Sequence, residues 1–176
     1  MSVLVAATVT QRPPLLPVAN RSTLRLNFTE GTPVAAPIDT RDHGRLYFYL
    51  GQLLQAVEHN DGFRLKTMQY WYRIQLEPDF RSPAVLRWEY DTTTDRTRYS
   101  RHHTQMAATV DLGGGAVLDL NKAHVPTGWV TFEEVIRFVI HDLGVKPPCG
   151  DEAWPGLLED SERKFHEEFS GRDYRD

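Results

Sequence analysis

Cysteine is almost absent from this chain, and its scarcity excludes several kinds of site. Cys149 is the only cysteine among 176 residues, so no internal disulfide can form. A zinc site built from several cysteines is excluded for the same reason. Such sparing use of cysteine is typical of proteins in reducing compartments, and we therefore expect a cytoplasmic protein.

Long hydrophobic runs and a surplus of basic residues are also missing. No stretch approaches the length of a membrane span, and the first residues lack the basic region of a secretory signal, so we expect no membrane association. The formal net charge is -4. This value argues against a protein held to nucleic acid by bulk positive charge, although it allows a local basic patch.

The composition is otherwise that of an ordinary soluble domain. Hydrophobic residues make up 40% of the chain and charged residues 25%, which is close to the average for globular proteins. No linker divides the chain, so we expect one domain over residues 1–176. Within it we expect residues 1–20 to form an extended arm and residues 170–176 a frayed tail.

The periodicity of apolar residues predicts an α+β fold. Alternation with period two predicts strands, and three successive glycines from Gly113 to Gly115 predict a hairpin. We predict a mostly antiparallel sheet of five to seven strands packed by two or three helices. The predicted strands include residues 22–29, 65–76, 84–91, 106–112 and 116–120; the predicted helices are residues 46–57, 131–143 and 157–169, the first two covering one face of the sheet.

The stretch from residue 84 to residue 103, AVLRWEYDTTTDRTRYSRHH, holds the candidate site. One strand carries Arg87, Glu89 and Asp91 on its polar side, and a polar turn leads into a second strand that ends in His102 and His103. If the two strands pair, acidic groups, guanidinium groups and imidazoles meet. Neighbouring residues of a strand point to opposite faces, so we expect one of the two histidines to be structural.

These residue types are suited to binding and cleaving a phosphodiester without a metal or other cofactor. Histidine exchanges a proton near neutral pH, arginine binds phosphate through two parallel hydrogen bonds, and a carboxylate can orient an imidazole. The alternative is a solvated strand face on which the arginines only pair with Glu89 and Asp91. The candidate catalytic residues are His102, His103 and Asp91, and the candidate substrate-binding residues are Arg87, Arg98, Arg101 and Tyr90.

Two further sets of residues are candidates for binding a metal or a nucleic acid. A metal is disfavoured, because no H-x-x-x-H or H-E-x-x-H pair occurs, and His124 in a loop is expected to face solvent. Aromatic residues next to basic ones could stack on single-stranded nucleic acid, but filling the core is favoured. The candidate metal ligands are His102, His103, His124, Asp91, Glu89 and Asp119, and the aromatic residues are Tyr70, Trp71, Tyr72, Trp88, Tyr90 and Tyr99.

Residues 68–139 carry short motifs in a recognisable order. They are Tyr70-Trp71-Tyr72, Glu89-Tyr90-Asp91, Arg101-His102-His103 and Thr131-Phe132-Glu133-Glu134. In this order the segment resembles the TumE-like toxins of prokaryotic toxin–antitoxin modules, although Glu89 stands where that family has an arginine and no third histidine follows. The resemblance implies a toxin-like or defence-associated cytosolic protein, with an antitoxin as partner and RNA or the translation machinery as target.

A second hypothesis requires no chemistry. The acidic C-terminal helix and the proline-rich N-terminal arm could contact a partner protein, which would make the chain a binding or assembly module in an oligomer or complex. The sequence does not decide between an enzyme and this alternative.

Overall fold

A computed structural model of the chain describes residues 10, 15–20, 22–29, 32–59, 62–93 and 100–169. Within these ranges there are ten strands and two helices. In chain order the strands are β1 (Leu15–Asn20), β2 (Thr23–Phe28), β3 (Ala36–Thr40), β4 (Gly44–His59), β5 (Gly62–Gln75), β6 (Ala84–Asp91), β7 (His102–Met106), β8 (Thr109–Gly113), β9 (Ala116–Asp119) and β10 (Val125–Pro126), and the helices are α1 (Phe132–His141) and α2 (Trp154–Phe169).

Eight of these strands form one antiparallel sheet. The order along it is β1-β2-β4-β5-β6-β7-β10, and β3 pairs with β4 on the edge that β2 also uses. The predicted α+β class and the mostly antiparallel sheet are confirmed. The sheet of the described residues has one strand more than the upper limit expected from the sequence, and β8 and β9 form a separate two-stranded sheet.

The predicted helix at residues 46–57 is wrong, because this segment lies in strand β4. Its apolar residues fit helical spacing, but Leu46, Phe48 and Leu50 also alternate as in a strand, and Phe48 and Leu50 are completely buried. Both edges of β4 are occupied: β3 and β2 pair along one edge, and β5 pairs along the other. These hydrogen bonds to three other strands outweigh local helical preference.

The two remaining predicted helices are confirmed. Thr131 caps α1 through a reciprocal capping box, in which its hydroxyl accepts from the backbone N–H of Glu134 at 3.1 Å and its own N–H donates to the Glu134 carboxylate at 2.6 Å. Helix α2 packs on α1, where Arg137 donates two hydrogen bonds to Glu162 and Ser161 donates one to the buried Glu133. The acidic C-terminal helix is therefore part of the fold.

The core lies between α1 and one face of the sheet. Its sheet side is rich in aromatic residues, and the ring of Phe48 stacks on that of Phe132 with centroids 6.0 Å apart. Aromatic residues of strands β5 and β6 thus fill the core, as the sequence favoured. Buried core residues include Phe48, Leu50, Tyr70, Tyr72, Ile74 and Tyr90 of the sheet, and Phe132, Val135, Ile136 and Val139 of α1.

The glycine hairpin is present, and part of the N-terminal arm forms a strand. Gly113, Gly114 and Gly115 all have positive φ, which confirms the predicted hairpin turn between β8 and β9. Residues 15–20 of the expected arm are strand β1, paired with β2. Apart from Thr10, the rest of the arm lies outside the described residues, as does the tail from residue 170. Among the described residues, neither helix has the length and apolar character needed to cross a membrane.

Candidate nucleic-acid interface

The sheet has one face packed on α1 and a second face, here called the open face, that points the other way. Cross-strand neighbours share a face, so the strand register defines its side chains. One row across the sheet is Tyr49, Arg73, Arg87 and Gln105, and the next row is Gly51, Trp71, Glu89 and His103. The core residues Tyr70, Tyr72 and Tyr90 alternate with these and point toward α1.

His102 lies on the core side. Its ring stacks on Tyr90 with centroids 4.2 Å apart and an angle of 8° between the planes, and Trp129 lies 5.3 Å away. The hydroxyl of Tyr70 is 3.4 Å from its Nδ1. Burial lowers the pKa of His102 to about 4, with smaller effects of Arg101 and His103, so the ring is neutral at pH 7. Its contacts make His102 a member of an aromatic cluster.

His103 lies on the open face, which confirms that the two adjacent histidines point to opposite faces. Its side chain is only 4% exposed. The Nδ1–H donates to the carbonyl of Ser100 at 3.0 Å, and Nε2 lies 3.5 Å from Glu89 Oε2. The carboxylate that lies beside an imidazole is therefore that of Glu89, and not that of Asp91 as predicted.

Glu89 joins this histidine to two arginines. Arg73 donates to Oε1 of Glu89 at 3.1 Å, while the nearest Arg87 nitrogen is 3.7 Å from the same oxygen. The side chains of Glu89, Arg73 and Arg87 are partly buried, and burial makes interactions between charges stronger than they are in water. The pairing of Arg87 with Glu89, which the sequence offered as the alternative to a binding site, is thus present. The cluster is continuous across β5, β6 and β7.

His124 enters the same cluster from the loop between β9 and β10. The amide of Gln105 donates to its Nε2 at 2.6 Å, and its ring centroid is 4.6 Å from that of His103. Burial lowers the pKa of His124, and the nearby His103 and Arg87 lower it further. Sequence reasoning assigned His124 to solvent and overlooked Gln105, because their contact joins positions that no local motif connects.

Two cavities open on this face. The first, the Arg87 cavity, has a volume of about 400 Å³ and lies along β6 and β7. The second, the Trp71 cavity, has a volume of about 250 Å³ and lies along β4 and β5. The Arg87 cavity is lined by Pro83, Ala84, Arg87, Gln105, Met106, Ala107 and Asn121, and the Trp71 cavity by Arg25, Pro33, Tyr49, Gly51, Trp71, Arg73 and Phe80.

Of the other predicted site residues, none that the structure describes joins the cluster around Glu89. Asp91 accepts hydrogen bonds from the N–H and the hydroxyl of Thr93 at 2.8 Å and 2.7 Å. Burial raises the pKa of Asp91, but its hydrogen bonds outweigh this effect and lower the pKa overall. Tyr90 is buried on the core side, and Arg101 is half-buried next to His102. Arg98 lies outside the described residues.

The aromatic residues named from the sequence lie on both faces of the sheet. Trp71 lies on the open face, whereas Tyr70, Tyr72 and Tyr90 are buried in the core and Trp88 packs on Phe138. Tyr99 lies outside the described residues. The sequence did carry a signal for this difference, since Trp71 interrupts the otherwise polar side of its strand.

No metal site is formed by the residues that the structure describes: no three of their His, Cys, Asp and Glu side chains are grouped closely enough to hold an ion. Comparisons with known protein families, with curated proteins and with solved structures find no match to this chain. The resemblance to TumE-like toxins therefore stays a prediction.

Proposed function

We propose that this protein binds RNA on the open face of its sheet. The observation that carries the proposal is the grouping of arginine and aromatic side chains beside two cavities on one face. Arg73 and Arg87 both contact the carboxylate of Glu89, and Arg25 lines the Trp71 cavity with Arg73, so three arginines share this face with the two carboxylates of Glu89 and Asp91. This local excess of positive charge suits a polyanion despite the overall net charge of -4.

Arg87 is the phosphate-binding residue in this proposal. It lines the larger cavity, its side chain is 34% exposed, and its contact with Glu89 is longer than that of Arg73. Arg87 can therefore turn toward a phosphate while Arg73 keeps Glu89 paired. A guanidinium group with a second free edge binds phosphate through two hydrogen bonds.

Binding is better supported than cleavage, because the imidazole of His103 is only 4% exposed, which leaves a substrate hydroxyl little access to it. Nδ1 of His103 contacts Ser100, and Nε2 of His124 contacts Gln105. In cleavage, a base would take the proton of the 2′-hydroxyl while O2′ bonds to phosphorus and the bond from phosphorus to O5′ breaks, with water protonating the leaving oxygen. Incubating RNA in chelator with wild type, His103→Ala and His124→Ala measures this step. We expect intact RNA in every sample, and cleavage by wild type alone would make the site catalytic.

The binding proposal is tested by fluorescence anisotropy with a labelled, unstructured RNA oligonucleotide over a range of salt concentrations. We expect Arg87→Gln to weaken binding and to reduce the salt slope by about 0.7, as expected for one lost phosphate contact on a single strand. The matched control is Lys146→Gln, because Lys146 is exposed in the segment between α1 and α2. Equal salt slopes for wild type and Arg87→Gln would overturn the proposal.

We extend the proposal to a toxin-like or defence-associated role in which an antitoxin masks the open face. The support is the resemblance noted from the motifs, and the site chemistry is compatible with an RNA target. Induced expression in a bacterium should arrest growth with wild type and less strongly with Arg87→Gln. Unchanged growth with wild type would count against this role.

A second candidate function is self-assembly, and one observation favours it. The hairpin of β8 and β9 is exposed along its length, and Val110, Leu112, Val117 and Leu118 are between 41% and 62% exposed. Strands with free edges can pair with the same strands of a second copy. Light scattering should then report a dimer that becomes monomeric when residues 109–119 are replaced by a short Gly-Ser turn. A monomeric wild type would exclude this candidate.

A further inference from the structure

The Trp71 cavity has an aromatic wall and a cationic rim. Tyr49 stacks on Phe80 with centroids 5.8 Å apart, and Trp71 lies across from Gly51 on the neighbouring strand. Arg73 lies 5.9 Å from the centre of the Tyr49 ring. Arg25 is exposed and forms no ion pair with any residue that the structure describes. Flat apolar surfaces beside guanidinium groups suit a planar ring that carries an anionic group.

Gly51 makes room for the two rings that line this cavity. A Cβ atom added at this position would lie 3.1 Å from Cε3 of Trp71 and 3.1 Å from the hydroxyl oxygen of Tyr49. These distances are shorter than normal contacts, so the two rings approach each other over a position without a side chain. The volume of about 250 Å³ lies just below the range of roughly 300–1,000 Å³ found for drug-sized ligands, and suits a single ring system.

The position of the cavity relates it to the proposed RNA site. Arg73 lines the Trp71 cavity and also pairs with Glu89, which lies 3.7 Å from Arg87 at the other cavity. A chain with alternating rings and phosphates could follow the sheet from one cavity to the other. An unpaired base enters a pocket of this kind at the lowest cost, because no base pair has to be broken first.

We propose that the Trp71 cavity binds an unstacked nucleobase, with Arg25 contacting the adjoining phosphate, and that the ligand of the open face is therefore single-stranded RNA. This inference rests on the proposed RNA binding and names its substrate class. Trp71 supplies the stacking surface, Tyr49 and Phe80 form another wall, and Gly51 lets the rings of Trp71 and Tyr49 lie against the strand.

The test is a titration of the full chain with adenosine or uridine 5′-monophosphate, followed by the indole N–H signals of its tryptophans in NMR spectra. Ribose 5-phosphate, which has the phosphate but no base, is the matched probe. We expect the Trp71 signal, assigned from the spectrum of Trp71→Phe, to shift with the nucleotides and not with ribose 5-phosphate. No shift, or equal shifts with both kinds of probe, would overturn the inference.

Variants of the cavity wall test the stacking surface. Trp71→Leu should weaken nucleotide binding about tenfold, the effect of losing one stacked base. Gly51→Ala should also weaken it, because the added methyl group takes up space between the two rings. The control is Phe63→Leu, since Phe63 is 77% exposed on the same strand as Trp71 but does not line the cavity. Unchanged signals of the other tryptophans show that the variants are folded, and equal binding by wild type, Trp71→Leu and Gly51→Ala would overturn the assignment.

The outcomes distinguish this inference from the function on which it rests. If RNA binds through Arg87 but the mononucleotides leave Trp71 unshifted, or if duplex RNA binds as tightly as a single strand, the base pocket is wrong and the RNA-binding function stands. If the mononucleotides shift Trp71 but RNA does not bind, the pocket stands and the proposed function is wrong.

Discussion

At the scale of single residues, the two adjacent histidines show how one position decides a role. His102 stacks on Tyr90 in the core, while His103 contacts Glu89 on the open face. The alternation of side chains along a strand separates two chemically identical groups into different environments. Only His103 therefore belongs to the cluster that contains Arg87.

Burial of His102 makes a prediction about stability at acid pH. Its folded pKa of about 4 lies below the ordinary value near 6.5, so the unfolded chain binds the proton more tightly between these values. The free energy of unfolding should fall as the pH drops from about 6.5 to about 4, by roughly 1–2 kcal/mol for this half-buried ring.

Urea unfolding of wild type and His102→Phe at several pH values measures this contribution. The phenylalanine retains an aromatic ring against Tyr90 but cannot titrate, so its loss of stability between pH 6.5 and pH 4 should be smaller. Parallel curves for the two proteins would show that His102 does not titrate as described.

At the scale of elements, β4 and α1 respond differently to the same kind of sequence pattern. Both carry apolar residues at helical spacing, yet only α1 is a helix. The start of α1 is specified locally by its capping box, whereas no Ser/Thr-x-x-Glu/Gln box directly precedes β4. Paired strands on both edges decide the conformation of β4.

The contribution of the α1 capping box to the free energy of unfolding should be measurable with a single substitution. Thr131→Ala removes the acceptor for the N–H of Glu134, and we expect it to lower the free energy of unfolding by about 1 kcal/mol. The matched control is Thr109→Ala in the exposed strand β8, for which a change within about 0.5 kcal/mol is expected. Chemical denaturation of both variants provides the comparison, and equal losses would contradict the assigned role of the cap.

At the scale of the whole molecule, the open face and the exposed hairpin are separate features. Strands β8 and β9 pair only with each other in the described part of the chain, and the N–H of Leu120 donates to the carbonyl of Ala108 at 2.8 Å across the base of the hairpin. Removing the hairpin should therefore leave the main sheet unchanged.

Replacing residues 109–119 by a short Gly-Ser turn tests this separation. We expect the free energy of unfolding to change by less than about 1 kcal/mol, because closing a short loop costs little more than closing the original turn. RNA affinity measured by anisotropy should also be retained. A large loss of affinity together with intact stability would show that the hairpin is part of the RNA site.

Much of the candidate site could be predicted from the sequence, because it depends on patterns within strands and on the pairing of consecutive strands. The alternation in β5 and β6 placed Arg87 and Glu89 together on a polar side, and the pairing of β6 with β7 brought His103 to them. The placement of Arg87 and Glu89 follows from the two-residue period of a strand, and that of His103 follows from the pairing of consecutive strands. The link between Gln105 and His124 was not foreseeable, because a loop conformation determines it.

The sequence by itself determined the capping box of α1, the glycine turn between β8 and β9, and the alternation that sends His102 and His103 to opposite faces. Each depends on residues within a few positions of one another. Only the tertiary structure decided that β4 is a strand, that Glu89 rather than Asp91 contacts an imidazole, and that Trp71, Tyr49 and Phe80 surround a cavity. These features arise because separate strands become neighbours in the sheet, and the pattern within one strand does not show which side chains that pairing brings together.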